Sequence, residues 1–399
     1  MTGNTTTADK GKHMQSTHSK ILAFIKSLYP DKEIVALHEP TFAGNEKRYI
    51  NECIDSTFVS SVGHFVNRLE TVIPEITGAK FAVAVVNGTA ALHTALLIAG
   101  VNAGDEVITQ ALTFVATANA ISYCNAKPVF LDVDMETLGL SPEALDQFLK
   151  RNTRLENGKT INSVTGRRIA ACVPVHALGH PCRIDEIISI CRGYNIDVIE
   201  DAAEALGSTF KERAAGTFGR LGIFSFNGNK IVTCGGGGIV VTDDEAVARQ
   251  AKHLTTTAKL AHPFEYVHDR IGFNYRLPNL NAALACAQLE KLAEFIADKR
   301  ALAESYHKFF TSLGISFIRE PKDAKSNCWL NAILFADRRE RDEFLNSALK
   351  EGVMARPLWT QLNELDIYKN CQSDDLNCSR HLIDRVVNIP SSVSGRFNC

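Results

Sequence analysis

The stretch IDVIEDAAEALG (196–207), followed by FSFNGNK (224–230) and the glycine run GGGG (235–238), decides how this chain is read. Each half opens on an apolar run of strand length and ends on polar side chains: Asp201 and Glu204 after the first, Ser225 and Lys230 after the second. Strands that hand charged residues to loops in this way suit a parallel sheet, whose ligands collect at the carboxyl ends of its strands. The glycines beyond Lys230 let backbone pass close to whatever the lysine faces.

Outward from there the pattern repeats. Apolar runs predict strands over 81–86, 106–109, 128–133, 169–175, 196–199, 221–226 and 238–242. Between them, helical spacing and capping residues predict helices over 92–99, 113–123, 141–150 and 184–192. Such alternation implies the α/β class, with a mainly parallel central sheet covered on both faces. Asn87, Asp201, Ser225 and Lys230 all follow strand ends, and that convergence says more than any single motif. NGTAALH (87–93) turns a strand into a helix through Gly88, Thr89 and Ala90, which outlines a phosphate site of free N–H groups and a hydroxyl. Most strand–glycine–helix turns bind nothing. Phe114 begins a helix just past a strand end, where its ring either stacks on a flat cofactor or fills core.

Helices over 21–28, 44–56 and 65–77 precede the first strand, and a long Ala- and Leu-rich helix, open to a kink, is expected over 281–310. After it the character changes to short strands over 316–318 and 329–335, a charged helix over 338–350 and the segment 353–359. The chain therefore divides into a disordered tail (1–20), a large domain with the N-terminal helical segment (21–310) and a smaller C-terminal α+β domain (311–399).

The 399 residues carry 43 basic and 45 acidic side chains, a formal net charge of −2 that gives no electrostatic case for nucleic-acid or membrane binding. Eleven cysteines, scattered and without C-x-x-C spacing, fit a reducing cytoplasm rather than a disulfide framework. Residues 1–20 lack the apolar core of a signal peptide, and no apolar run approaches the roughly 20 residues that span a bilayer. None of the 12 histidines has the H-E-x-x-H spacing of a metal site. G-x-S-x-G, P-loop and dinucleotide-binding signatures are missing, which argues against a hydrolase elbow, an NTPase and a dehydrogenase.

An amine, a carboxylate and a phosphate-binding hydroxyl at one sheet edge suit pyridoxal 5'-phosphate (PLP). Lys230 would bond covalently to it, Asp201 would keep its pyridine nitrogen protonated, and Glu204 would meet its ring hydroxyl. The bland readings are a solvated surface lysine, a helix-capping aspartate and a serine bonded to backbone. His176, at the end of its strand, is either a satisfied structural histidine or a catalytic one.

Over about 34–392 the chain resembles the PLP-dependent nucleotide-sugar aminotransferases of the DegT/DnrJ/EryC1/StrS family, of fold type I. The carrying motifs are NGTAALH (87–93), TFVATAN (113–119), IEDAAEALGS (199–208), FSFNGNK (224–230) and GFNYRLPNLNAA (272–283). The resemblance implies Lys230 and Asp201 as catalytic residues and Glu204 at the ring oxygen. It implies Phe114 as the stacking ring, with Gly88, Thr89, Ala90 and Ser225 at the phosphate. Asn274 would reach that phosphate from a neighbouring subunit, so a homodimer with shared sites is implied. The family often has Gln where Glu204 stands and Gly-Glu-Gly-Gly where this chain has four glycines. A dehydratase branch carries His at the lysine position, so Lys230 favours amino transfer; a dehydratase or epimerase and a silent nucleotide-sugar sensor are the rival readings.

TFVSSVG (57–63), TTTAK (255–259), ARPLW (355–359) and RVVNIPSS (385–392) look like the LegC-type subgroup. That likeness implies a UDP-linked 2-acetamido-4-keto-6-deoxy sugar as acceptor and an amino acid, L-glutamate first, as donor. Arg276 and Arg356 would meet the diphosphate or the donor carboxylate, or else pair at the surface.

Overall fold

The computed structural model describes residues 7–396, with side chains from residue 15 onward. Its centre is a seven-stranded sheet: β1 (Phe81–Val85), β2 (Glu106–Gln110), β3 (Lys127–Leu131), β4 (Ile169–Val173), β5 (Asp197–Asp201), β6 (Leu221–Ser225) and β7 (Gly238–Thr242). All seven expected strands are present, each within two residues of its predicted limits. In space they run β1-β7-β6-β5-β4-β2-β3, and only β7 opposes the rest, pairing antiparallel with both β1 and β6. Strands β2, β4, β6 and β7 are buried along their whole length, as continuous apolar runs in a doubly covered sheet should be.

Register brings the site together. Gly238, the first residue of β7, lies opposite Val85 on one side and Ser225 on the other. The carboxyl ends of β1 and β6 therefore flank one point, and the loop 226–237 that carries Lys230 turns over it. Asp201, at the end of β5, lies opposite Ile223 of β6.

A second, antiparallel sheet of Ser316–Phe317, Asn331–Leu334, Val386–Ile389 and Arg356–Pro357 forms the C-terminal part. The helix expected over 281–310 is two helices, Asn279–Leu289 and Leu292–Ser312, broken at Glu290 and Lys291. The polar excursion after residue 150 holds a hairpin of Thr153–Glu156 and Lys159–Asn162.

At the N-terminus a helix runs over Thr7–Leu28, so it begins inside the stretch read as a disordered tail. Ile21, Leu22, Ile25 and Leu28 share one cluster with Tyr306, Phe310, Ile333, Phe344 and Val387. This helix thus packs on the helix Leu292–Ser312 and on the C-terminal sheet together, because its apolar stripe finds its complement there. Among the described residues no helix is long and apolar enough to cross a membrane.

One glycine fixes where the loop after β5 returns. A Cβ at Gly222, mid-way along β6, would stand 1.8 Å from the Gly216 carbonyl oxygen. Strand and loop therefore touch backbone to backbone, and the N–H groups of Gly216 and Gly219 reach the buried Glu200 carboxylate at 2.8 and 2.6 Å. Gly222→Ala should destabilise by about 1–3 kcal/mol or more through overpacking, read as a lower denaturation midpoint in urea.

Candidate active site

Above the carboxyl ends of β1, β5 and β6 lies a cavity of about 410 Å³. Its lining includes Gly88, Thr89, Phe114, Asp201, Glu204, Ser225 and Lys230, joined by Asn227, Trp329 and Trp359. Most of the residues that the sequence singles out therefore share one wall. Ala90, Asn274, Arg276 and Arg356 are not among the residues lining it.

Asp201 is 6 % exposed and rigidly held: the Thr117 hydroxyl donates to Oδ2 at 2.8 Å and the Ala203 N–H to Oδ1 at 3.2 Å. Burial pushes its carboxyl above the usual aspartate range; the Thr117 and Ala203 bonds, then Lys230, pull the other way. Glu204, equally buried, is also raised by burial and drawn back chiefly by Lys230. Its Oε2 accepts from the Leu178 N–H at 2.8 Å. Leu178 sits at φ 57°, a left-handed backbone that a leucine rarely adopts, and this aims its N–H at the carboxylate.

The Lys230 ammonium reaches Glu204 Oε1 at 3.4 Å and lies 4.1 Å from the centre of the Trp329 ring. Trp329 Nε1 donates to the Asn229 carbonyl at 2.7 Å, so the indole grips the backbone next to Lys230 while its face covers the amine. Asn327 holds this tryptophan in turn. Its Oδ1 accepts from the Trp329 N–H at 2.9 Å and its amide donates to the Glu204 and Leu206 carbonyls at 2.9 and 3.0 Å.

The opposite end of the cavity is a helix N-terminus. Asn87 caps the helix Gly88–Ile98, its Oδ1 accepting from the Ala90 N–H at 2.8 Å. The N–H expected at Ala90 for a phosphate is thus committed to the cap. Gly88 and Thr89, the first two helical residues, have no carbonyl four residues back within the helix to bond and direct their N–H groups outward. A Cβ on Gly88 would stand 2.9 Å from that of Ser225, so only glycine lets the hydroxyl and the helix start adjoin. Phe114, 55 % exposed, precedes the helix Ala116–Tyr123 rather than starting it and presents its ring at the rim.

His176 proves structural. It is fully buried, with Nε2 on Glu200 Oε2 at 2.9 Å and Nδ1 accepting the Cys182 N–H at 3.1 Å. Because Nδ1 accepts, the proton sits on Nε2 and the imidazole is neutral. Asn274 and Arg276 lie on a segment beside the end of β1, where Val86 N–H donates to Tyr275 O at 2.8 Å. Arg276 donates to Asn274 Oδ1 at 2.9 Å and borders an open surface hollow with Val62, Lys259 and His262. Arg356, exposed on the small sheet, donates to its neighbour's Ala355 carbonyl at 3.1 Å.

Sequence reasoning missed Trp329, Trp359, Asn227 and Thr117. Thr117 stood within TFVATAN, and a threonine one helical turn beyond Thr113 was the available signal. Trp329 carried none, because it stands far along the chain, just before the strand Asn331–Leu334 of the other sheet.

Residues 40–395 match the DegT/DnrJ/EryC1/StrS aminotransferase family. The chain belongs to that family. It is a PLP-dependent sugar aminotransferase, and its Gly88–Ser225 cradle, helix start, buried carboxylates and amine suit a flat, phosphorylated pyridine. Among relatives, a GDP-perosamine synthase of Escherichia coli O157:H7 is 37 % identical over 362 residues, 90 % of this chain and 93 % of that one. A GDP-perosamine synthase of Vibrio cholerae is 33 % identical over 361 residues, covering 90 % and 94 %. In structure, the aminotransferase PseC of Helicobacter pylori superposes with a TM-score of 0.81 at 24 % identity over 90 % of this chain and 93 % of that one.

A raised carboxyl pKa carries a stability prediction for this aminotransferase. The folded state holds a proton on Asp201 more tightly than the unfolded state does, so its contribution is most favourable below the unfolded pKa and is lost as pH rises through the folded one. Asp201→Asn should therefore raise the melting temperature of the cofactor-free protein at about pH 8, and less at about pH 5, nearer the carboxylate range. Thermal melts at the two pH values check it; a loss of stability at the higher pH would contradict the account.

Proposed function

We propose that this nucleotide-sugar aminotransferase takes an amino group from L-glutamate and delivers it to C4 of a nucleotide-linked 4-keto-6-deoxy sugar in amino-sugar biosynthesis. The observation that carries the reading is the Lys230 amine, set against the buried pair Asp201 and Glu204 in a cavity whose far end is a helix N-terminus. PLP bound there supplies an electron sink for the carbon that gives up its proton.

The protein's own residues do the rest. Lys230 Nζ takes the proton from the donor's Cα and, in the second half of the cycle, delivers one to C4 of the sugar. Asp201, locked by Thr117 and Ala203, holds a proton at the cofactor's ring nitrogen. Glu204 meets the ring oxygen and, at 3.4 Å, restrains the Lys230 ammonium between transfers. Gly88 and Thr89 N–H groups with Ser225 Oγ take the phosphate, and Phe114 covers the ring. The two tryptophans keep water from the amine.

Asn274 completes the phosphate site from a second copy of the chain in this reading. Supporting it, Phe264 and Ile271 on the same segment are 89 % and 88 % exposed, large apolar surface of the kind a subunit interface covers. Arg276, beside Asn274, and Arg356, on the small sheet, are assigned to the diphosphate or the donor carboxylate.

The LegC-type motifs favour a UDP-linked 2-acetamido acceptor, whereas the names of the two perosamine synthase relatives favour a GDP-linked one. Incubating the PLP-loaded enzyme with L-glutamate and UDP-, GDP- or dTDP-linked 4-keto-6-deoxy sugars decides it by product mass. Replacement of oxygen by nitrogen with one of them is expected; loss of water would point to a dehydratase, and no change with any would overturn the proposal. Lys230→Ala should lower turnover by at least about 10²–10⁴-fold, the usual share of a positioned proton carrier.

Shared sites make a separate prediction. Lys230→Ala and Asn274→Ala chains, each inactive alone at limiting PLP, should regain about a quarter of wild-type activity when mixed and reassorted, because half of the two-fold dimers then hold one intact site. Zero recovery, with mixed dimers confirmed by mass, would place Asn274 in its own chain's site or in none.

A further inference from the structure

The Lys230 ammonium has two neighbours of opposite kinds: a carboxylate oxygen, Glu204 Oε1 at 3.4 Å, and the face of an uncharged ring, Trp329, whose centre is 4.1 Å away. Trp329 is buried and lines the same cavity as the amine. Every hydrogen-bonding group of this tryptophan is committed elsewhere. Nε1 donates to the Asn229 carbonyl at 2.7 Å, the backbone N–H donates to Asn327 Oδ1 at 2.9 Å, and the carbonyl accepts from the buried Lys299 ammonium at 3.1 Å. What the residue offers the amine is its π face.

The two neighbours are also braced against each other. Fully buried Asn327 takes the Trp329 N–H on its Oδ1 and donates from its amide nitrogen to the Glu204 carbonyl at 2.9 Å. Leu178 makes a second tie: its N–H donates to Glu204 Oε2 at 2.8 Å, and its carbonyl accepts from the Leu330 N–H at 3.4 Å. The lysine, reaching in from a loop, therefore ends between two surfaces whose separation the fold sets.

When Lys230 takes a proton from the donor carbon, the C–H bond breaks, an N–H bond forms at Nζ, and the electron pair stays on the substrate side. The ammonium so formed has to be held in place and then give the proton up. A second carboxylate at hand would attract the charge but would also accept the proton. An aromatic face attracts a cation through its quadrupole and takes no proton, and tryptophan does so best.

We infer that Trp329 is a catalytic residue of both half-reactions, its ring and Glu204 together forming the seat of the protonated, unbonded Lys230 amine. This rests on the reading of Lys230 as proton carrier given above. Without the ring the ammonium is free to swing away from the reacting carbon, while the amine is no less able to bond the cofactor.

Trp329→Leu and Trp329→Phe separate the ring face from the indole hydrogen bond, since both lack the N–H and only phenylalanine keeps a π face. The half-reactions are followed through the visible absorbance of the bound cofactor, first on adding L-glutamate and then on adding the UDP- or GDP-linked 4-keto sugar that wild type accepts. PLP affinity is measured apart from turnover, by titrating the cofactor-free proteins. Trp329→Leu should slow both halves about 10–30-fold at saturating substrate, the rate equivalent of a desolvated cation–π contact, and Trp329→Phe should keep most of the wild-type rate. PLP affinity should hold or rise in both variants, because the seat favours the unbonded amine. Trp329→Phe as slow as Trp329→Leu would overturn the inference and assign the effect to the grip on the Asn229 carbonyl. A PLP affinity that falls in step with the rates would overturn it in favour of a structural role, and slowing of one half alone would overturn it too. If Lys230→Ala still completes both halves, the reading of Lys230 fails first, and the inference with it.

Discussion

A half-buried ammonium bonded to one buried carboxylate, with a second close by, is the constraint on which this structure depends. Asp201 and Glu204 are each 6 % exposed, and a carboxylate at such depth is unfavourable unless opposite charge and hydrogen-bond donors surround it. The fold supplies these from distant places: Lys230 from the loop after β6, the Thr117 hydroxyl from the helix after β2, and the Leu178 N–H from a turn with strained backbone. Burial raises the pKa of both acids, so the cofactor-free site is held in a tense electrostatic state. In our reading a cationic pyridine ring relieves it, which would bind cofactor preparation and catalysis to one arrangement.

The second requirement is that groups from different strands stand at one point. The reversal of β7 achieves it. An antiparallel strand between β1 and β6 lets the loop 226–237 turn back over their ends, carrying Lys230 above Gly88 and Ser225. The C-terminal sheet then closes the cavity with two tryptophans. Through Asn327, which ties Trp329 to the Glu204 and Leu206 carbonyls, that region is mechanically joined to the acid–amine group. Movement of the small sheet would thus be felt at Lys230.

Much of this was legible in residue order. Uninterrupted runs such as GIVVT and FAVAV have the composition of doubly buried strands, and polar residues immediately after them could only lie at one edge of a parallel sheet. Hence Asp201, Glu204, Ser225, Lys230, Gly88 and Thr89, which line one cavity, could be singled out from sequence. Features that depend on pairing between remote segments could not. Nothing local says that the Thr7–Leu28 helix packs on the C-terminal sheet or that Trp329 covers Lys230. The direction of β7 was also hidden, since an apolar run reads alike from either end.

The central claim is that the Lys230 amine is the group to which PLP bonds, with Asp201 as the acid that serves it. Borohydride reduction of the PLP-loaded protein, followed by peptide mass spectrometry, tests this most directly. The account predicts a phosphopyridoxyl group on the peptide containing Lys230, at unit stoichiometry, and a sharp fall in labelling for Asp201→Ala at limiting PLP. Label fixed on another lysine, such as the buried Lys299, with Lys230 unmodified would contradict it.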